Sequence, residues 1–191
     1  ITVDQCGAYN LPIRRLLEAI YTCDAVDHTT ADFAAMAVYL KRLWFSNGIH
    51  HHYGCEKFVP DFSESWLREA AGQTDPARLP LSGRTSLAEL LDEICPVIFN
   101  PTVMPKRVNQ SDGEDLVLTS ACNFYDGVTQ AEAEAYYGRL KAGVAGDELP
   151  SFGLNSRLVK SEGEVREETY RVGGRYSKAI EQIIYWLDKA R

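Results

Sequence analysis

The chain has 191 residues, 45% of them hydrophobic and 25% charged, with a formal net charge of −7. Residues 1–191 fit a single domain with a sizeable core, and that apolar content excludes a disordered chain. The acidic balance, basic runs no longer than the pairs Lys41-Arg42 and Lys106-Arg107, and the lack of any apolar run near ~20 residues argue against a nucleic-acid surface and a membrane span.

Ile13, Leu16, Leu17 and Ile20 fall at helical spacing, and Pro12 is tolerated only in a first turn, so a helix is predicted from Asn10 or Leu11 to Tyr21. After the polar loop Cys23 to Thr30, apolar residues from Phe33 to Trp44 predict a second helix over Ala31 to Phe45, with Asn47-Gly48 as its stop. Three short polar residues, each followed three positions later by Glu, read as capping boxes: Asp61 with Glu64, Ser86 with Glu89, Thr129 with Glu132. They predict helices over 62–71, 87–95 and 130–141. Pro96, Pro101 and Pro105 interrupt the passage between the last two, which leads to a strand candidate at Asp115 to Thr119.

The Gly/Ala/Asp segment Lys141 to Asp147 reads as a flexible loop rather than a domain boundary. Ser156 to Lys160 and Glu164 to Val172 flank the turn Ser161-Glu162-Gly163 and predict a hairpin. Neither face of its second arm is cleanly apolar, which suits an edge strand or one covered by further chain. Gly173-Gly174, with no P-loop lysine after it, reads as a turn into the last helix. That helix, Tyr176 to Lys189, carries Ile180, Ile183, Ile184 and Leu187 on one stripe, extended by Tyr185 and Trp186. The chain starts without Met and stops in a run still periodic at Leu187 to Arg191, as an excised piece of something longer would. Together these elements predict an α+β chain, mostly helical with a small antiparallel β portion.

Three of the four histidines, His50, His51 and His52, stand side by side in "WFSNGIHHHYGCEKFVPDF", Trp44 to Phe62. A zinc site needs three or four ligands converging at about 2 Å. Neighbouring side chains point ~100° apart in a helix and to opposite faces in a strand, so at most two of these rings share a side. The one other histidine is His28. A Cys55 nucleophile activated by His51 or His52 would need a third orienting group and an oxyanion hole, and no motif supplies either. The carboxylate pairs Glu114-Asp115 and Glu167-Glu168 read as solvated. Five cysteines, odd in number, widely spaced and without Cys-x-x-Cys, exclude a disulfide scaffold or zinc knot and point to a reducing, cytoplasmic compartment.

"YLKRLWFSNGIHHHYGCEKFVPDF", Tyr39 to Phe62, resembles the amino-terminal lobe of the dipeptidyl peptidase III family of zinc peptidases, especially its Bacteroides-type members. The likeness extends over "YNLPIRRLLEAIYT", "PVIFNPTVMPKRVNQSDGEDLVLTSACNFYDGVTQAEAEAYYG" and "GLNSRLVKSEGEVREETYRVGGRYSKAIEQIIYWLDKA", blocks that cover most of the chain in order. The resemblance implies a longer two-lobed parent whose zinc is held in the other lobe by a His-Glu-x-x-Gly-His helix and a downstream glutamate. The Glu within that motif activates the attacking water. No His-Glu pair occurs here, so this chain by itself is expected to be inactive, with no catalytic residue and no metal ligand.

It looks instead like the lobe that lines the substrate cleft, helices plus part of a β-barrel completed by later chain. The partners implied are a peptide substrate, from whose amino terminus dipeptides are released, and the missing catalytic lobe. An aromatic residue at the position of Tyr53 contacts peptide in the family, and the match over Tyr53-Gly54-Cys55-Glu56-Lys57-Phe58-Val59-Pro60 carries that role onto Tyr53. Asn47, His50 and His51 are its neighbours and complete the expected substrate-binding set without a family role of their own. The residues that grip the substrate's amino terminus in relatives fall beyond Arg191. Two other readings stand beside this one: a free-standing peptide- or protein-binding module sharing the lobe, and a small metal-binding protein built on the three histidines.

Overall fold

The computed structural model describes residues 1–144 and 152–191. The chain is α+β and mostly helical, with helices α1 (Thr2–Gln5), α2 (Asn10–Tyr21), α3 (Ala31–Ser46), α4 (Glu64–Gln73), α5 (Leu87–Phe99), α6 (Gln130–Ala142) and α7 (Ser177–Ala190). A small sheet is made by β1 (Tyr125–Asp126), β2 (Ser156–Ser161) and β3 (Glu164–Thr169). These elements form two compact units. One spans Thr2–Gln110 with Thr119–Cys122; the other holds Ile1, Ser111–Leu118 and Asn123–Arg191.

In the helical unit the apolar stripe of α2 closes on that of α3. Ile13, Leu16, Leu17 and Ile20 meet Met36, Leu40 and Leu43, and Leu67 of α4 and Leu90 and Ile94 of α5 join the same core. Each such side chain contributes about 1.5–3 kcal/mol through removal from water. Thr30 caps α3 by accepting from the Phe33 N–H, and Asn47 ends it in the left-handed region at φ 56°. The cap of α4 is Ser63, which accepts from the Trp66 N–H at 3.2 Å. Asp61 does not cap it, and the helix starts at Glu64, later than the sequence pattern predicts. Ser86 caps α5 as expected, but the Glu89 carboxylate turns to the N–H and hydroxyl of Thr85, at 2.7 and 2.8 Å.

Pro96 does not stop α5, which runs on to Phe99. Proline in a helix interior costs about 3 kcal/mol. Ile94, Cys95, Val97 and Ile98, all buried around it, outweigh that cost. The thiol of Cys95 is pushed up to about 11 by this burial and packs as an apolar group.

Asp115 to Thr119 forms a turn, not a strand. The Asp115 carboxylate accepts from the backbone N–H groups of Val117 and Leu118, at 3.0 and 2.9 Å, and curls the chain back on itself. Thr129 and Glu132 form a reciprocal capping box at the start of α6. The Lys160 ammonium, 2.6 Å away, does most to hold the Glu132 carboxyl down at about 2. Of the loop predicted over Lys141 to Asp147, Lys141 and Ala142 belong to α6, and 145–147 lie outside the described residues.

The sheet is mixed rather than wholly antiparallel, because β1 runs parallel to β2 while β3 runs antiparallel to it. Glu162 and Gly163, at φ 54° and 85°, make the two-residue turn that joins Ser161 to Glu164, and the second position suits glycine. One sheet face is covered: Leu158 is buried with Val128 and Ala133, and Tyr136, Tyr137 and Val165 pack around them. Helix α7 buries none of its residues.

Candidate functional site

The stretch after α3 is shaped by close approach and by backbone pairing. The Ile49 N–H donates to the side-chain Oδ1 of buried Asn10 at 3.2 Å, and Gly48 lies so near that a Cβ there would be 2.2 Å from Asn10 Nδ2. The chain then doubles back on itself. His50 bridges Lys57, with the His51 N–H donating to Glu56 O and the Phe58 N–H to Ile49 O, both at 2.8 Å. Further pairing comes from Pro105–Arg107: the Lys57 N–H donates to Pro105 O at 3.1 Å and the Arg107 N–H to Cys55 O at 2.9 Å. Cys122 and Ala121 pair in turn with Arg107 and Lys106. The turn at His52–Gly54 is therefore the tip of a short ribbon anchored on the helical core.

Lys57 fixes this ribbon to α5. Its ammonium donates to the carbonyls of Val97 (2.9 Å), Val103 (2.6 Å) and Asn100, so all three of its protons are used. Partial burial lowers its pKa. The ribbon and the end of α5 flank an apolar concavity of about 390 Å³ lined by Phe58, Val59, Pro60, Ile98, Phe99 and Pro101 among others.

The three histidines separate in space and in role. His50 points inward and is 2% exposed. Its Nε2 donates to Met104 O at 2.8 Å, while Nδ1 has no partner among the described residues. Burial holds its pKa below the ordinary value, and the nearby Lys57 and Arg107 charges act in the same direction. His51 is exposed, and its Nδ1 closes the turn by accepting from the N–H groups of Tyr53 (3.3 Å) and Gly54 (3.1 Å), which leaves Nε2 to carry the proton of the neutral ring. His52 contacts Ser46 Oγ through Nδ1 at 3.3 Å and sets its ring 4.1 Å from Tyr53 and 4.8 Å from Phe45, between centroids.

Tyr53 is 85% exposed and Phe45 76%, so this end of the unit presents a contiguous aromatic surface of Phe45, His51, His52 and Tyr53. Among the four residues singled out from sequence, Tyr53 and His51 lie in it. Asn47 is exposed and shapes the helix end, and His50 braces the ribbon from inside. Phe45 and His52 are the members that sequence reasoning passes over. The available signal was Phe45 itself, an aromatic residue off the buried stripe of α3 in its last turn.

These histidines do not fit a metal centre. His50 spends Nε2 on a carbonyl, His51 spends Nδ1 on backbone N–H groups, and among the described residues no three His, Cys, Asp or Glu side chains converge. No metal-assisted step is assigned to them. Nor does Cys55 pair with a histidine: its thiol lies 3.8 Å from Tyr53 O and 3.9 Å from Arg107 Nη2. What this surface offers is flat, amphipathic rings with a phenol and an imidazole nitrogen at their edges, suited to apolar contact plus one or two directed hydrogen bonds.

The second unit has a different binding feature. The Tyr170 N–H donates to Asn155 O at 2.7 Å, and with the hairpin register this turns the backbone of Glu164, Arg166 and Glu168 toward β2. The N–H and C=O groups of Val165, Glu167 and Thr169 then face outward, and among the described residues no strand pairs with them. No family model matches the chain, and no curated protein matches it.

Proposed function

We propose that the chain is the substrate-cleft lobe of a zinc-dependent dipeptidyl peptidase, a peptide-binding part of a longer enzyme whose other lobe carries the zinc motif and performs hydrolysis. The observation that carries this reading is Tyr53: an aromatic side chain 85% exposed, on a turn held by two hydrogen bonds to His51 and anchored to the core through Lys57. A large ring held in solvent by a braced turn provides binding area at little entropic cost. The resemblance over Tyr39 to Phe62 assigns that position to peptide contact. The edge of β3, unpaired among the described residues, adds support, because extended peptides bind such edges through main-chain hydrogen bonds. The same edge suits a barrel continued by further strands of the parent.

In this reading the partners are a peptide and the catalytic lobe, and zinc belongs to that lobe. The five cysteines, all free, suit a cytoplasmic protein. Among the described residues no helix is long and apolar enough to cross a membrane.

The gene decides between this and a free-standing binding module. A reading frame that continues past Arg191 into His-Glu-x-x-Gly-His, with a product that releases dipeptides from peptide amino termini, is the expected result. A stop codon directly after Arg191 would leave only the binding module.

A further inference from the structure

We infer that the open face of the β2–β3 hairpin selects an acidic side chain in an extended peptide added to the β3 edge; this rests on the peptide-binding reading above. The registers Arg157↔Glu168 and Val159↔Arg166 put Arg157, Arg166 and Glu168 on one face of the sheet, opposite to the Leu158 face that is buried with Val128 and Ala133 of the segment entering α6 and of α6 itself. Arg157 is already committed. Its side chain is 13% exposed and donates through Nε to Glu168 Oε2 at 2.6 Å and through Nη1 to Asp126 Oδ2 at 3.1 Å. Arg166 and Arg171 are exposed, and neither side chain makes a hydrogen bond or ion pair among the described residues. These five side chains line a concavity of about 680 Å³.

The lining sets Arg157, Lys160, Arg166 and Arg171 against Asp126, Glu167 and Glu168, which leaves one net positive charge in a chain whose net charge is −7. Two of the guanidiniums have no structural duty, and their planar forks match the two oxygens of a carboxylate. A strand added at Val165, Glu167 and Thr169 alternates its side chains between the two faces, so every second one stands on the Arg166 face at cross-strand distance. Arg171, in the segment leaving β3, lines the same concavity. An acidic side chain at such a position meets guanidinium on the open face. On the other face the Glu167 carboxylate is occupied by the Ser156 hydroxyl.

Calorimetric titration of the purified chain at low ionic strength with Thr-Val-Thr-Glu-Thr-Val-Thr, capped at both ends, and with its Glu-to-Gln counterpart tests this. The Glu peptide is expected to bind roughly fivefold tighter than the Gln peptide, a preference fading with salt. In Arg166→Gln/Arg171→Gln the ratio is expected to fall to about one. Neither side chain holds the fold, and circular dichroism would check that the double variant is intact. Equal binding of both peptides to the unaltered chain overturns the selection of an acid while leaving peptide binding in place. So does inorganic phosphate that binds this face without any preference between the peptides, which would make it a free-anion site. Failure of both peptides to bind overturns the peptide-binding reading together with this inference.

Discussion

Tyr53 owes its exposure to His51, whose ring nitrogen takes the N–H groups of Tyr53 and Gly54 and tightens the turn so that the phenol projects outward. Its ring packs beside those of His51 and His52 and is 85% exposed, so its removal leaves no core cavity. In the zinc peptidase proposed above, Tyr53→Ala is expected to weaken peptide binding by roughly 1 kcal/mol, about fivefold, with zinc content unchanged. Tyr53→Phe should retain most of the binding. Unaltered steady-state kinetics across several peptides would remove Tyr53 from the site. Tyr53 was singled out in sequence by the resemblance and His51 as its neighbour, and the structure shows both exposed. The burial of His50 was not legible, since three adjacent histidines look alike. Which one turns inward is decided by pairing with Lys57 seven residues on and by the carbonyl of Met104, far along the chain.

At the scale of elements, α5 and the ribbon depend on one another through Lys57. A helix end has carbonyls without intrahelical partners, and here a lysine from another segment satisfies Val97 O as well as the following Asn100 O and Val103 O. Lys57→Met keeps the stem's packing and removes these bonds. It is expected to destabilise the chain by roughly 2 kcal/mol, read as a lower midpoint in urea unfolding at unchanged slope. An unchanged midpoint would mean that water replaces the ammonium at no loss. Elements with unbroken periodicity, α2, α3 and the first arm of the hairpin, were legible within a residue, whereas the second arm, expected to reach Val172, ends at Thr169. The continuation of α5 through Pro96 was not, because local propensity there opposes tertiary burial and loses to it. The strand expected at Asp115 to Thr119 failed for a local reason: one carboxylate reaches the chain's own N–H groups and bends it.

For the molecule as a whole, the two compact units carry different acid-sensitive groups. In the helical unit, burial keeps the folded-state pKa of His50 below 6.5, so the unfolded chain takes up the proton first as pH falls. The stability this gives the neutral ring is complete above about 6.5 and declines as pH drops through the lowered folded value. In the sheet unit, Glu132 is held at about 2 against an ordinary 4.5, chiefly by Lys160. Its contribution is complete above 4.5 and disappears as pH falls toward 2. On acidification the ribbon over Ile49–Phe58 is therefore expected to loosen before the start of α6. Hydrogen exchange followed by mass spectrometry near pH 7, 5.5 and 3.5, corrected for intrinsic rates, should show protection lost around the ribbon in the first interval. Around Thr129–Ala133 and Lys160 it should begin to fall only in the second. Glu132→Gln should shrink the second step, leaving the part due to the Asp115 carboxylate that accepts from the Gln130 N–H, and leave the first unchanged. Loss of protection at both places in the same interval would show that neither group governs its own unit's response to acid.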